Sequence, residues 1–364
     1  MNARKLLVPL VADLIFICLV SATAAILVEG TVRLVQGNAR PMIPFVVDRL
    51  GATRLAADLD MPIQLPRYAR MQLVSDDLGA RVASVAAREA DRTDGILFVG
   101  DSQVLGWGLP FEQTAAARLA GLVGVPLERV AILAAAAEDP ERQIGWVEDY
   151  ARRRPQRQRV EVVALNLGND LDEIYLSRAG TRFESRGGLT AWLSNHSLAF
   201  LDLALLRQAW WAEPDDPHPE VNSAMLRLDG DERNLLAGGV AASLEHLFDA
   251  LPPSDRRIVV VIPQDSQVDI REFDKYRGYY ADEADFNLHK EAQEIAVERL
   301  DALQGMVGDR LKATDLNVVP LESALREAWG KADLIDTRSH HLMATGQEIA
   351  AHAIAGVMEA ARND

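Results

Sequence analysis

The stretch Ile96-Leu97-Phe98-Val99-Gly100-Asp101-Ser102 decides the fold, and Gly106-Trp107-Gly108 follows it closely. Four apolar residues ahead of a Gly-Asp-Ser turn predict a buried strand that ends where a helix begins. A serine at such a strand end can project its hydroxyl, and its own backbone N–H can stabilise an oxyanion. The stretch therefore predicts a nucleophile, Ser102, at the carboxyl edge of a sheet.

Downstream of Gly95, short β-branched runs alternate with longer amphipathic stretches. The predicted strands cover residues 96–99, 130–133, 160–167, 258–262 and 316–320, and the predicted helices cover residues 111–123, 141–154, 240–251, 287–307 and 345–361. Alternation of this kind indicates a parallel sheet with helices on both faces. We therefore expect an α/β fold, a three-layer, doubly wound, five-stranded parallel sheet.

Composition excludes several classes of function. The chain has 364 residues and a formal net charge of -16, so nucleic acid is not expected as a partner. Its single cysteine, Cys18, excludes a disulfide framework and a thiolate metal site. Neither a glycine-rich phosphate loop nor a spaced His/Cys/Asp cluster is visible, and we expect neither a cofactor nor a metal ion.

The N-terminal residues 1–30 are predicted to form a transmembrane anchor. The run 6–28 is mostly apolar and is long enough, as a helix, to cross the hydrocarbon layer. Arg4 and Lys5 precede it, which favours a cytoplasmic N-terminus and an exported body. A cleaved signal peptide is the alternative, since Ala22-Thr23-Ala24 resembles a cleavage site. Asp13, inside the run, either reaches the membrane interface or contacts a polytopic membrane partner.

The exported part divides into two regions. Residues 31–94 are predicted to be a stem and lead-in, because prolines interrupt any long helix there. Residues 95–364 are predicted to be the catalytic domain. An insertion at about 177–233, which contains a Pro- and Asp-rich segment, interrupts the predicted alternation of strands and helices.

Three further segments carry candidate site residues. Asn169 follows a predicted strand, and its amide can donate to an oxyanion, although an Asx-type turn explains the same sequence. Asp336 and His341 precede the last helix and can supply an orienting acid and a base from one loop. Tyr279 lies on an aromatic, acidic loop that either stacks on sugar rings or packs at the surface.

Three blocks together resemble the SGNH (GDSL-like) hydrolase and acyltransferase superfamily, over roughly residues 95–359. They are Gly100-Asp101-Ser102, Gly168-Asn169-Asp170, and His341-Leu342 with Gly346. The resemblance implies that Ser102 is the nucleophile, that His341 is its base, and that the Ser102 N–H and Asn169 form the oxyanion hole. It also places Asp101 and Gly168 next to the substrate, where Tyr279 is a further candidate.

Two positions depart from the pattern of that superfamily. The acid normally lies three residues before the histidine, and Arg338 occupies that position, so Asp336 has to act from five residues away. A cation there opposes the imidazolium that forms during catalysis. In addition, the segment 134–139 lacks the expected glycine of the oxyanion hole.

The resemblance is closest to bacterial members with an N-terminal membrane helix. It implies a single-pass protein of the bacterial inner membrane with its catalytic domain in the periplasm. The implied activity is that of a serine esterase or O-acyltransferase on acylated carbohydrate or cell-envelope polysaccharide, alongside a polytopic membrane O-acyltransferase. The alternative is a non-catalytic module of the same fold that binds glycan or scaffolds such a complex, which Arg338 and the alanine-rich block favour.

Overall fold

The computed structural model describes residues 3–36, 39–40, 42–47, 53–65, 67–134, 140–166, 223–336 and 340–363. Its first part contains one helix and two antiparallel hairpins. Helix α1 spans Ala3–Gln36; strand β1 (Phe45–Val47) pairs with β2 (Thr53–Leu55), and β3 (Asp60–Ile63) pairs with β4 (Met71–Val74).

The remainder alternates strands and helices. In chain order the elements are β5 (Gly95–Gly100), α2 (Ser102–Leu105), α3 (Ala115–Val123), β6 (Val130–Ala134), α4 (Pro140–Arg153), β7 (Gln158–Asn166), α5 (Ser223–Arg227), α6 (Gly230–Ala250), β8 (Arg257–Ile262), α7 (Asp265–Val268), α8 (Glu283–Leu311), β9 (Asn317–Pro320), α9 (Glu322–Ala328), β10 (Ile335–Asp336), β11 (His341–Leu342) and α10 (Ala344–Asn363). Segments of 3-10 helix lie at Val85–Glu89, Phe111–Gln113, Leu127–Arg129 and Ile270–Tyr279.

A parallel sheet forms the centre of the fold. Within the described residues it has five strands in the order β6-β5-β7-β8-β9, and every neighbouring pair is parallel. The predicted α/β fold with a five-stranded parallel sheet is thereby confirmed, and each predicted strand overlaps an observed one. Because the chain moves outward in both directions from β5, the order reverses beside this strand, where ligands of such sheets bind.

Helices cover both faces of this sheet. Ile96 and Phe98 of β5 pack into one core with α3 and α10, whereas Leu97 and Val99 pack into a second core with α4, α6 and α8. All six residues of β5 are consequently buried. This explains why the predicted strand shows a continuous apolar run and no alternation.

The N-terminal helix α1 contains the apolar run from which the sequence predicts a membrane anchor at residues 1–30. Across the part of the chain that the structure describes, none of the helices is long and apolar enough to span a membrane. The predicted transmembrane helix is therefore unsupported.

The lead-in region packs onto the same core as the sheet. Leu55, Ile63 and Leu73 belong to the cluster that contains Ile96 of β5. Arg81 extends the sheet beyond β6, since its N–H donates to Ile132 O at 2.8 Å and its carbonyl accepts from Ile132 N–H at 3.0 Å. Residues of the predicted stem thus contribute directly to the hydrophobic interior of the α/β unit.

A buried ion pair fixes the end of the lead-in to helix α4. The Arg92 guanidinium lies 2.8 Å from Asp76 Oδ2 and donates to the Tyr150 hydroxyl at 2.7 Å. The other Asp76 oxygen accepts the N–H groups of Leu78 and Ala80. Both charges are nearly inaccessible to water, so the loss of either partner would leave an unpaired charge in the interior.

Glu161 is a buried carboxyl at the amino-terminal side of the sheet. It lies in β7 with no exposed surface, and its Oε2 accepts a hydrogen bond from Ser254 Oγ at 2.8 Å. For its Oε1, the described residues offer no hydrogen-bond partner. Burial raises the pKa of Glu161 to about 8, which means that the folded protein holds this proton at neutral pH.

The substitution Glu161→Gln should remove the loss of stability that the wild type suffers as the pH rises. The unfolded carboxyl releases its proton near its ordinary pKa of 4.5, whereas the folded one keeps it up to about pH 8. The free energy of unfolding should therefore fall as the pH rises between these two values. We expect the variant to match the wild type at about pH 4.5 and to exceed it at about pH 8, measured by urea denaturation.

The exposed Glu245→Gln is the matched control, and it should keep the pH dependence of the wild type. Parallel stability curves for wild type and Glu161→Gln would contradict the assignment of a raised pKa to this carboxyl.

Candidate active site

Ser102 stands at the carboxyl end of β5, as predicted. The strand ends at Gly100, and Asp101 caps the short helix α2 by accepting the Gln103 N–H on its Oδ1 at 2.8 Å. Ser102 is the first residue of that helix and is half-buried. The turn therefore presents the serine at the edge of the sheet where the strand order reverses.

His341 lies within hydrogen-bonding distance of this serine. Its Nε2 is 2.8 Å from Ser102 Oγ, although the two residues are 239 positions apart in the chain. His341 belongs to β11, which pairs with β10 directly ahead of α10. The structure thus brings together the predicted nucleophile and the predicted base in the geometry that a serine–histidine pair requires.

The neighbouring histidine faces a different group. His340 Nδ1 lies 3.1 Å from Asp265 Oδ2, at the start of α7 after strand β8. Its backbone has a φ of +56°, which turns the chain between the two histidines. The two adjacent imidazoles thus point to separate partners, His340 to Asp265 and His341 to Ser102.

The indole of Trp107 stacks on the His341 imidazole. The ring centroids are 4.9 Å apart and the planes are inclined by 15°. Trp107 lies between Gly106 and Gly108, and both glycines have a φ of +71°, a conformation that L side chains rarely adopt. The Gly-x-Gly spacing quoted from the sequence therefore serves to aim this indole at the imidazole.

Arg81 holds the loop that carries Trp107. Its buried guanidinium donates to the carbonyl oxygens of Leu105, Gly106 and Leu109, the last at 2.6 Å. Burial lowers the pKa of Arg81 to about 10, so the group is still a cation at neutral pH. Backbone carbonyls thus satisfy a charge that would be costly to bury without acceptors.

Asp336 stands opposite His341 in the β10–β11 hairpin. The register pairs these two residues directly, and paired residues of an antiparallel ladder project their side chains on the same face. Asp336 Oδ2 accepts a hydrogen bond from the Tyr68 hydroxyl at 2.5 Å. The hairpin therefore brings the predicted acid next to the predicted base, although five positions separate them in the chain. Its role as orienting group remains a prediction.

Asp101 is a buried residue whose contacts hold the serine turn in place. Its side chain is 2% exposed. Besides the Gln103 N–H, its carboxylate accepts a hydrogen bond from Asn166 Nδ2 at 3.2 Å, which links the serine turn to the end of β7. These contacts support a role in shaping the turn, and they do not support the predicted contact of Asp101 with substrate.

Several predicted site residues lie outside the described part of the chain. They include Gly168 and Asn169, the acid-position residue Arg338, and the alanine-rich segment 135–139. Tyr279 ends a 3-10 turn, but its side chain is also outside the described residues. Where the structure does describe the chain, no group of three or more His, Cys, Asp or Glu side chains is arranged to hold a metal ion.

Tyr68 is a site residue that the sequence pattern does not reveal. It lies in the lead-in, 268 positions before its partner Asp336, and no strand or helix signal singles it out. Its ring packs directly against Gly108, where an added Cβ would lie 2.1 Å from the ring carbon Cδ1. The absence of a side chain at Gly108 thus leaves space for the Tyr68 ring, whose hydroxyl bonds Asp336 of the hairpin.

Comparison with known proteins finds no matching family model and no matching curated protein. The functional interpretation therefore depends on the geometry described above and on the chemistry of the residues themselves.

Gly108→Ala should displace the Tyr68 ring and destabilise the protein. Gly124→Ala is the matched control, because Gly124 has the same φ of +71° and nothing lies within 4 Å of an added Cβ there. Both variants strain the backbone by about 1–2 kcal/mol. Overpacking against Tyr68 should cost Gly108→Ala about 1–3 kcal/mol more. Urea denaturation of the two variants measures the difference, and equal losses would rule out the proposed clash.

Proposed function

We propose that this protein is a serine esterase or O-acyltransferase of the SGNH type, with Ser102 as nucleophile and His341 as base. The observation that carries the proposal is the 2.8 Å contact between Ser102 Oγ and His341 Nε2. Its place at the carboxyl edge of the parallel sheet supports the same interpretation, since the strand order is that of flavodoxin-like sheets. The three sequence blocks that resemble this superfamily add independent support.

In the proposed reaction, His341 Nε2 takes the proton of Ser102 while Oγ forms a bond to the acyl carbon. The carbonyl oxygen becomes an oxyanion, stabilised by the Ser102 N–H and, by resemblance, by the Asn169 amide. When the intermediate collapses, the bond to the alcohol breaks and the alcohol leaves with the proton from His341. Water or a sugar hydroxyl then attacks the acyl carbon while His341 takes its proton. The bond from that carbon to Ser102 Oγ breaks and the proton passes from His341 to Oγ, which releases the acid or the new ester.

Asp336 is proposed to orient the imidazole and to stabilise the imidazolium. Its position opposite His341 in the hairpin supports this role. The bond from the Tyr68 hydroxyl holds one of its oxygens in place. The proposed reaction needs no metal ion and no cofactor.

The proposed substrate is an acylated carbohydrate or cell-envelope polysaccharide, on the periplasmic side of a bacterial inner membrane. This part follows from the resemblance to membrane-anchored relatives, as does a polytopic membrane O-acyltransferase as partner through the N-terminal helix. Fractionation of cells that express the full chain tests the location. Recovery in the soluble cytoplasmic fraction would contradict the proposed location and membrane partner, but it would not bear on the proposed chemistry at Ser102.

The chemistry is tested on the full-length chain with a chromogenic acetyl ester. We expect Ser102→Ala and His341→Ala to lower kcat by about 10³-fold or more, and Asp336→Asn by about 10²- to 10⁴-fold. The exposed residues Ser323 and His352 provide matched controls, and their alanine variants should turn over like the wild type.

A wild-type rate equal to that of Ser102→Ala would exclude hydrolysis of this ester. Labelling with a fluorophosphonate followed by intact mass measurement then separates the remaining functions. Modification of Ser102 would support a transferase that needs its natural donor and partner, whereas an unmodified chain would favour the non-catalytic glycan-binding or scaffolding module.

A further inference from the structure

Gln103, the residue that follows the nucleophile, contacts the segment that carries the base. Its side chain is 5% exposed. Its Nε2 donates to the His340 carbonyl at 2.6 Å, and its Oε1 accepts the Leu342 N–H at 2.9 Å. One side-chain amide thus bonds the residue before His341 and the residue after it.

The hairpin holds the same segment through its backbone. His340 N–H donates to Asp336 O at 2.7 Å, and Met343 N–H donates to Leu334 O at 2.8 Å. These two bonds, together with the two bonds of Gln103, help to fix the short segment from which the imidazole projects. The two bonds of Gln103 fix the position of this segment relative to Ser102, because Ser102 and Gln103 are consecutive residues of one helical turn.

Gln103 itself is held on both sides of its backbone. Its N–H donates to Asp101 Oδ1 at 2.8 Å, and its carbonyl accepts from Gln347 Nε2 at 2.8 Å. Gln347 is buried on α10, and its Oε1 accepts the Ala115 N–H at the start of α3. The side-chain amide that bonds the histidine segment therefore belongs to the serine turn, and Gln347 of α10 links the backbone of that turn to the start of α3.

We propose that Gln103 is a positioning residue that keeps His341 Nε2 within hydrogen-bonding distance of Ser102 Oγ. An amide is suited to this task because it carries a donor and an acceptor side by side. A carboxylate accepts from Leu342 but repels the His340 carbonyl, and a thioether of similar length makes neither bond. The effect on turnover rests on the proposed function, whereas the effect on the histidine segment does not.

The experiment uses the full-length chain with Gln103→Met and Gln103→Glu, each made in the wild type and in His341→Ala. The readouts are kcat and KM for the chromogenic acetyl ester, and the hydrogen exchange of the Leu342 amide. Displacement of a catalytic group by about 1 Å costs roughly 10²-fold in rate. We therefore expect both variants to lose about that factor in kcat at a nearly unchanged KM, with faster exchange at Leu342 for Gln103→Met.

The double variants separate positioning from general damage to the fold. If Gln103 acts through His341, its replacement causes no further loss of kcat in the His341→Ala background. A loss of the same factor in both backgrounds would overturn the proposal, as would a wild-type kcat in Gln103→Met. If Gln103→Met does not fold, the nearly isosteric Gln103→Glu decides the question by the same comparison.

Gln158→Met is the matched control, since Gln158 is equally buried but lies at the opposite end of the sheet. It should leave kcat unchanged. If the wild type shows no turnover above Ser102→Ala, hydrolysis of this ester is excluded and kcat no longer reports on Gln103, so the crystal structure of Gln103→Met then tests the positioning alone. A Ser102–His341 contact that stays at its wild-type distance would overturn it, and a lengthened contact would support it.

Discussion

A guanidinium buried away from water needs acceptors, and the two Nη atoms of Arg81 find them in the backbone carbonyls of Leu105, Gly106 and Leu109, whereas its Nε has no partner among the described residues. The same residue pairs through its own backbone with Ile132 of the edge strand β6. Its side chain and its main chain therefore bind two different parts of the molecule, the loop that carries Trp107 and the sheet. Movement of the loop away from the guanidinium would leave a buried charge without these acceptors, so the contacts favour the observed conformation of the loop. The stack of Trp107 on His341 depends on that conformation.

The site is assembled around His341 from three regions of the chain, which are the segment 101–108, the β10–β11 hairpin and the lead-in. The serine turn supplies the group to which its Nε2 points, the Gly-x-Gly loop supplies the indole on its face, and the hairpin supplies Asp336 beside it. The lead-in enters through Tyr68, which touches Gly108 of the loop and bonds the hairpin at Asp336. The imidazole is therefore restrained through its backbone, through its ring face and through its nitrogen. Restraint of this kind is what a general base needs, since proton transfer depends strongly on geometry.

Much of the fold could be predicted from the sequence, and less of the site could. The five sheet strands are visible as apolar runs because both of their faces are buried. The lead-in hairpins have strands of three or four residues, too short to show a period. By its position in the sequence Asp336 is displaced from the usual place of the acid, but the hairpin register, which sequence positions do not reveal, places it opposite His341. Tyr68 and Gln103 act through contacts across 268 and 237 positions, and a single sequence carries no signal for such pairs.

The separation of Ser102 and His341 by 239 positions has a consequence for biosynthesis. Ser102 is synthesised early, and strands β6 to β9 are all made before His341 appears. Until then Ser102 is an ordinary alcohol with the weak reactivity of any serine. If Ser102 acts as proposed, a nascent or truncated chain without His341 should form acyl adducts at this residue no faster than any ordinary serine does. Under the proposed function, heightened reactivity at Ser102 would show that the hairpin has docked, and a serine-directed reagent would then count completed molecules in a mixture of folded and unfinished ones.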